Sequence, residues 1–431
     1  MNDPFQIALV VAAVIAVLTL VGGVILRVMQ KPQRVYWQSA ARVLVVLVLL
    51  AVGLKYLLLP VFAALIFTVV TMLIAIVVGL VRMLLGKPQR RYWSVIGWSH
   101  LGMFTLHMFV TFPVALGWFG SRQLGSRTPE HLYAGPRLDS NGMLLSQSWQ
   151  LLRSERDAGH PSVTEEVVAA ADARAHSVPS SGGVTIRAYR LEAKIDQPVA
   201  VAVLVHGLFR SSMELEPVAK ILRDHGCECW LVDQRNHGQS GRAPFTGGLR
   251  ESDDVVAVVD YLRQQPGRAE TPLVMFGVSL GTIAVSLALP RIDDVAGVIL
   301  DAPIDDLTAA AHRMMAFNRA GDRRSAAYMY EPWRSLVLTS LGAWSGFATT
   351  EVSPLEVLAT LPHDLPMLII GEELDDRAPP QTVLNIYERM PQHPGVKELW
   401  QVPDVGHGKS FLKRPVAFDQ AVGRLMSRLR Q

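Results

Sequence analysis

Three short stretches in the C-terminal part of the chain hold residue types that could together activate a hydroxyl. Residues 272–281 read Pro-Leu-Val-Met-Phe-Gly-Val-Ser-Leu-Gly, an apolar run that leads into Gly277-x-Ser279-x-Gly281 and then into helix-forming residues from Thr282 to Leu289. A strand that turns tightly into a helix at a serine leaves the hydroxyl exposed at the helix N-terminus, and the flanking glycines are needed because bulky neighbours would clash. Serine is a weak nucleophile until a base takes its proton, and that base needs a carboxylate to fix its tautomer and favour its cation. Among the 12 histidines, His407 in Gly406-His407-Gly408 stands just after the last predicted strand and ahead of the final helix. Asp375 and Asp376 follow the apolar run Met367 to Ile370, and the residues alone leave open which is the acid and which caps the next turn.

These groups need elements to hold them. Past residue 182, short β-branched runs (Val184 to Leu191, Val199 to Val205, Cys227 to Val232, Leu273 to Phe276, Val295 to Leu300, Met367 to Ile370, Glu398 to Val402) alternate with helix-length segments. Such alternation predicts a mainly parallel sheet with helices on both faces, whose ligands bind beyond the carboxyl ends of the strands. The two cysteines, Cys227 and Cys229, are expected to face opposite sides of their strand and not to bridge, so there is no disulfide framework. Met314, Phe317 and Trp333 stand out among the apolar and aromatic residues between Pro303 and Pro366, a segment too long for a simple connection. Packing inside that segment is an equal reading for them.

The order Ser, Asp, His, together with these motifs, resembles the α/β-hydrolase superfamily over residues 178–431, with similarity to its membrane-tethered ABHD and Bem46-like members. Leu204-Val205-His206-Gly207-Leu208 is similar to the family's HG motif, which implies that the backbone N–H groups of Leu208 and Leu280 form an oxyanion hole. Asp233-Gln-Arg235-Asn236-His237-Gly238 is similar to the family's D-x-R-G-H-G turn, with Asn236 in place of a glycine; the resemblance makes His206 and His237 structural. It selects Asp375 over Asp376, although the spacing from Gly371 is one residue longer than usual. Asp301 is an alternative acid position in some relatives and reads here as a turn residue. The segment at about 303–365 occupies the place of the family's cap, which implies an apolar acyl or alkyl pocket.

The N-terminal part has a different character. Residues 1–120 hold nine Lys/Arg and one acid, whereas residues 121–431 hold 32 bases and 37 acids. Four apolar stretches, Phe5 to Met29, Ala40 to Leu59, Val61 to Leu85 and Val95 to Phe119, each approach the roughly 20 residues that cross a bilayer as a helix. Lys31-Pro-Gln-Arg-Val-Tyr-Trp37 recurs as Lys87-Pro-Gln-Arg-Arg-Tyr-Trp93, six of seven residues identical at an offset of 56, which marks a duplicated hairpin. In each copy Pro ends a helix and Tyr-Trp is expected at the membrane interface. Both basic loops are expected in the cytoplasm, with a turn near Lys55 to Pro60, which places the C-terminal domain on the non-cytoplasmic side. His100 and His107 share a helical face and are read as packing residues.

The expected organisation is a four-helix transmembrane region over 1–120, a connector over 121–181 with a short helix around Met143 to Arg153, and an α/β-hydrolase domain over 182–431. The bases lie between apolar runs and not along a folded face, which argues against nucleic-acid binding. No metal or cofactor is expected. The expected partners are the lipid bilayer and a small-molecule or lipid ester. The expected activity is that of a membrane-anchored serine hydrolase cleaving a carboxylic ester or thioester through Ser279, Asp375 and His407. Amide or peptide hydrolysis of the proline-iminopeptidase type and a non-catalytic membrane scaffold or sensor are the alternatives. A transporter would need polar residues inside the apolar runs, where they are nearly absent.

Overall fold

In a computed structural model that describes residues 58–88, 90–125, 175–208, 210, 212–238, 240–316, 331–391 and 396–429, the alternating apolar runs form one eight-stranded sheet. The strands are β1 (Ala175–Pro179), β2 (Thr185–Leu191), β3 (Ala200–Val205), β4 (Cys227–Asp233), β5 (Leu273–Val278), β6 (Val295–Asp301), β7 (Met367–Glu372) and β8 (Lys397–Val402), in the order β1-β2-β4-β3-β5-β6-β7-β8. From β4 to β8 all neighbours are parallel, and β1 and β2 add an antiparallel edge. Every residue of β3, β4, β5 and β7 is buried, as expected of strands covered on both faces. Helices Glu251–Arg263, Leu280–Ala288, Pro354–Leu358 and Pro380–Arg389 contribute to the core on one face, and Glu216–Asp224 and Pro415–Arg428 to the core on the other.

The seven expected strands are all present, and β1 is an eighth inside the stretch read as connector. Its sequence, Ala-His-Ser-Val-Pro, buries only Val178, so it carries no apolar alternation of its own; it exists because β2 offers it an edge. The connector helix expected around residues 143–153 lies outside the described residues. Cys227 and Cys229 are both free and buried, but they do not face opposite sides. Side chains two apart in a strand share a face, and both enter the same core layer, Cys227 near Met426 and Cys229 against the Ala219 carbonyl.

The turn after β4 holds the sheet to its flanking helices. Arg235, 1% exposed, makes a two-pronged pair with Asp254 through Nε (2.8 Å) and Nη2 (2.7 Å). Asn236 sits at φ 66°, a left-handed conformation that Asn tolerates better than most residues, and its Oδ1 accepts the Ala243 N–H at 2.7 Å. At Gly238 (φ 51°) any Cβ would overlap the Asp233 carboxylate. His206 and His237 are buried with ring centroids 5.1 Å apart. The Gln234 N–H donates to His206 Nε2, so His206 carries its proton on Nδ1 and donates it to the Gly207 carbonyl. Burial lowers the His206 pKa to about 4 and that of His237 to about 3.

The chain divides into two compact units, Phe119–Ala320 with Leu341–Gln431, which holds the sheet, and Met1–Trp118 with Gly321–Ser340. In the latter, helix Leu58–Leu84 ends at Gly86 (φ 67°), where Gly86 N–H donates to Met83 O and Lys87 N–H to Arg82 O, a glycine-capped terminus. A second helix runs as Arg90–Leu106, a π-helical turn His107–Thr111, and Phe112–Gly125. The Tyr92-Trp93 pair of the second repeat packs back on the first helix, Tyr92 Oη donating to Ala75 O at 2.8 Å and Trp93 filling the space that Gly79 leaves. His100 Nδ1 bonds the Ile96 carbonyl at 2.8 Å. Among the described residues one helix, Arg90–Arg122, is long and apolar enough to cross a membrane. The first apolar stretch, the second up to Leu57 and the first repeat copy lie outside the described residues. So do Lys55 to Leu57 of the expected turn, while Leu58 to Pro60 are helical.

The π turn has a cause in the sequence. Pro113 has no N–H, and a proline ring inside a helix crowds the carbonyl four residues back. Phe112 N–H reaches to His107 O instead of to Met108 O. The Met108 carbonyl then accepts the indole N–H of Trp333 at 3.0 Å, and the Trp333 ring stacks on Phe109 with centroids 5.4 Å apart.

The turn after β4 sets two expectations for stability. Asp254→Ala would leave the Arg235 charge buried and unpaired, and is expected to lower the unfolding free energy by about 3–5 kcal/mol in urea titrations. Because both histidines are neutral when folded and protonate below pH ~6.5 when unfolded, stability should fall as pH drops from about 6.5 towards about 4, at up to ~1.4 kcal/mol per pH unit per histidine. His206→Asn should flatten that dependence in denaturation midpoints measured against pH.

Candidate active site

Ser279 occupies the turn between β5 and helix Leu280–Ala288 at φ 53°, ψ −119°. A non-glycine residue there is strained by about 1–3 kcal/mol, and the neighbouring glycines show why the turn is so tight. A Cβ at Gly281 would overlap the Val205 carbonyl at the end of β3, and one at Gly277 would lie 2.6 Å from Gly281 O. The turn is held by Ser279 N–H donating to Asp301 O (3.0 Å) and by Thr282 Oγ1 donating to Ser279 O (2.6 Å).

The other two residues come from the next strand ends. His407 lies in the loop after β8, where Asp404 (φ 56°) and Gly408 (φ 62°) reverse the chain, and its side chain is 7% exposed. Its Nε2 is 2.6 Å from Ser279 Oγ and its Nδ1 is 2.7 Å from Asp375 Oδ2. The other oxygen of Asp375 accepts the Arg377 and Ala378 N–H groups at 2.8 and 2.9 Å, which fixes the carboxylate in orientation. With Nδ1–H given to Asp375, Nε2 is left to accept the serine proton. Asp376 is exposed and bonds neither ring nitrogen of His407. The extra residue after Gly371 is absorbed where Glu373 N–H donates to Val402 O and Leu374 N–H to Val405 O, so Asp375 still meets the histidine.

Leu280 is the first residue of its helix, so its N–H has no intrahelical partner, and Leu208 follows Gly207 on the adjacent loop, where a Cβ at Gly207 would lie 3.4 Å from Ser279 Cβ. Beside that loop Arg210 pairs with Glu214 at 3.2 Å; burial raises the Glu214 carboxyl. Met314 lies in helix Leu307–Ala316, Phe317 is outside the described residues, and the Trp333 ring is taken up by Phe109 and Met108.

Sequence reading missed one group. Asp301, read as a turn residue or alternative acid, does not bond His407; its Oδ2 accepts the Ser410 hydroxyl at 2.6 Å, and its carboxyl meets that of Glu372, all three being fully buried. The signal was an acid, Glu372, closing an otherwise apolar, fully buried strand.

Residues 196–331 match the family model described as serine aminopeptidase, S33. The uncharacterized protein YqkD of Bacillus subtilis (strain 168) is 25% identical over 281 residues, 65% of this chain and 87% of its own length. Solved structures with a similar chain course include the esterase Pf2001 of Pyrococcus furiosus (20% identity, TM-score 0.48, covering 59% of this chain and 91% of that one) and a thermophilic esterase from Thermogutta terrifontis (16%, 0.43, covering 60% and 100%). The family match falls on the strands and the turn that carry Ser279, and the sheet order and the elbow at that serine agree with an enzyme of the α/β-hydrolase type.

Proposed function

We propose that this chain is a membrane-anchored serine hydrolase that cleaves a carboxylic ester or thioester. The observation that carries the reading is the continuous hydrogen-bond chain Ser279 Oγ, His407 Nε2, His407 Nδ1, Asp375 Oδ2, with links of 2.6 and 2.7 Å, at the carboxyl ends of parallel strands. As Ser279 Oγ bonds to the acyl carbon, its proton passes to His407 Nε2 and the carbonyl electron pair moves onto oxygen. The N–H groups of Leu208 and Leu280 would stabilise that oxyanion, an effect worth about 3–4 kcal/mol per donor elsewhere. Collapse expels the alkoxide or thiolate, which takes the proton from Nε2. Water then attacks the acyl-enzyme, His407 again accepts the proton, and Ser279 is released with the acid.

A lipid or other amphipathic ester is the substrate class that the N-terminal part favours. On helices Leu58–Leu84 and Arg90–Leu106 the side chains of Ile74, Val77, Leu84 and Trp98 are 59–74% exposed, an apolar surface suited to hydrocarbon. With four crossings and cytoplasmic basic loops, the catalytic domain stands on the non-cytoplasmic side. The family description favours one second reading, hydrolysis of an amide at a free N-terminus. Against it, the Glu214 carboxylate beside the serine loop is already paired with Arg210.

A fluorophosphonate probe on membranes should label the wild type and not Ser279→Ala, whose turnover should fall by roughly four to six orders of magnitude. An unreactive wild type would refute the serine-hydrolase reading. A panel of p-nitrophenyl esters of rising chain length, run beside aminoacyl p-nitroanilides, should show turnover of the esters alone. A C-terminal reporter should read as non-cytoplasmic.

A further inference from the structure

Asp301 closes β6 and Glu372 closes β7, and both side chains are fully buried. Their carboxyls lie close enough to act on each other, and Asp301 Oδ1 and both oxygens of Glu372 have no other partner among the described residues. Two carboxylates cannot bond without a proton between them, and a buried pair of like charges with no cation would be costly in proportion to its burial. Burial, reinforced by the neighbouring Asp301 charge, pushes Glu372 well above the carboxylate range. Asp301, which accepts from both Glu372 and Ser410, is the better placed to keep the charge.

This pair is bonded through other atoms to two residues of the proposed triad, Ser279 and Asp375, and to the loop that carries the third. The Asp301 carbonyl accepts the Ser279 N–H at 3.0 Å, and the Glu372 carbonyl accepts the Asp375 N–H at 3.2 Å. The Asp301 carboxylate accepts the hydroxyl of Ser410, three residues past His407, at 2.6 Å, and the backbone N–H of Lys409 faces Glu372. The titratable groups whose fields reach the pair are Asp375 and His407 from the loops after β7 and β8, and Glu214 from the turn Ser212–Leu215.

Resting on the proposed hydrolase reading, we infer that Asp301 and Glu372 are positioning residues: a single acid–carboxylate pair, holding one proton and one negative charge, that ties the serine turn, the acid loop and the histidine loop together. The pair sets where His407 stands and adds a second negative charge, beyond Asp375, to the field that favours its cation. It touches no substrate.

The test uses the full-length chain in detergent and a short-chain p-nitrophenyl ester. One shared proton makes a specific pattern. Glu372→Gln preserves the negative charge on Asp301, so the acidic limb of kcat/KM should stay where it is, while Asp301→Asn, which leaves only the burial-protonated Glu372, and the double variant remove the charge and should move the limb down by about half a unit or more. Two ionised carboxylates would make Glu372→Gln shift the limb; a fully protonated pair would leave it unmoved in Asp301→Asn and in the double; either result overturns the inference. Glu372→Ala and Ser410→Ala should lower kcat about ten-fold with KM within about two-fold, and Glu372→Gln, whose amide still donates to Asp301, should recover most of the loss. Wild-type kcat in Ser410→Ala would overturn the positioning role. Infrared spectra at neutral pH should show a protonated-carboxyl band that Glu372→Gln lacks, and its absence in the wild type also overturns the pair. That band reads the pair whether or not an ester is turned over, and fluorophosphonate labelling reads Ser279, so failure of the hydrolase reading would be told apart from failure of this one.

Discussion

The passage of Gly281 beneath the end of β3 is the constraint around which the catalytic domain is arranged. The backbone there has no room for a Cβ against the Val205 carbonyl, and the turn that brings it so close forces Ser279 to φ 53°. A strained turn of this kind persists only where its surroundings over-determine it. Here they are the β3–β5 pairing, which ends with Val205 opposite Gly277, and the β5–β6 pairing, which sets Val278 opposite Asp301. Gly408 in turn packs on Val278, where a Cβ would stand 3.0 Å from its Cγ2, and so the histidine loop closes over the same strand end. The register of three strands thus fixes the distance from Ser279 to His407.

Buried charge is handled differently near and far from that turn. At the edge of the sheet Arg235 meets Asp254, and Glu228 is paired with Arg190 and Arg268 at 2.8 Å each. Glu251 is satisfied by donors without charge, the Thr246 hydroxyl and the Thr246 and Gly248 N–H groups. Beneath the proposed triad, among the described residues, Asp301 and Glu372 have each other, Ser410 and the near N–H of Lys409. A cation placed there would compensate them, but it would also lower the negative potential that an imidazolium at His407 requires. Compensation by a proton keeps the site anionic by one charge without leaving two unpaired carboxylates in a dry environment.

Most of the sheet was legible because its strands are buried on both faces and so read as uninterrupted apolar runs; β1 was not, because an edge strand with one buried residue has no such pattern. Ser279, His407 and Asp375 were legible as residue types at strand ends, but the choice between Asp375 and Asp376 rests on a turn whose hydrogen bonds to Val402 and Val405 no spacing rule contains. Asn236 looked like a departure from a glycine motif and is the substitution that a left-handed position best accepts. The two cysteines were misjudged by one step of strand periodicity. Asp301 and Glu372 could not be paired from sequence, since their meeting depends on the register of β6 against β7, where Asp301 lies opposite Ile370 and Glu372 stands two residues beyond.

Among the described N-terminal residues, the second helix is shaped by what it lacks. Pro113 takes away one N–H, Phe112 N–H shifts to His107, and the Met108 carbonyl is left without a helical partner. Met108 is buried, and a buried carbonyl without a helical partner calls for another donor. Trp333 supplies it: its N–H meets Met108 O while its ring lies on Phe109. Trp333 comes from the stretch between β6 and β7, where it opens helix Trp333–Ser345, and Ser340 of that helix donates to Val114 O at 3.3 Å. Of the two readings that the sequence leaves open for Trp333, substrate lining and packing, the contacts with Met108 O and Phe109 match packing, at a carbonyl opened by a proline.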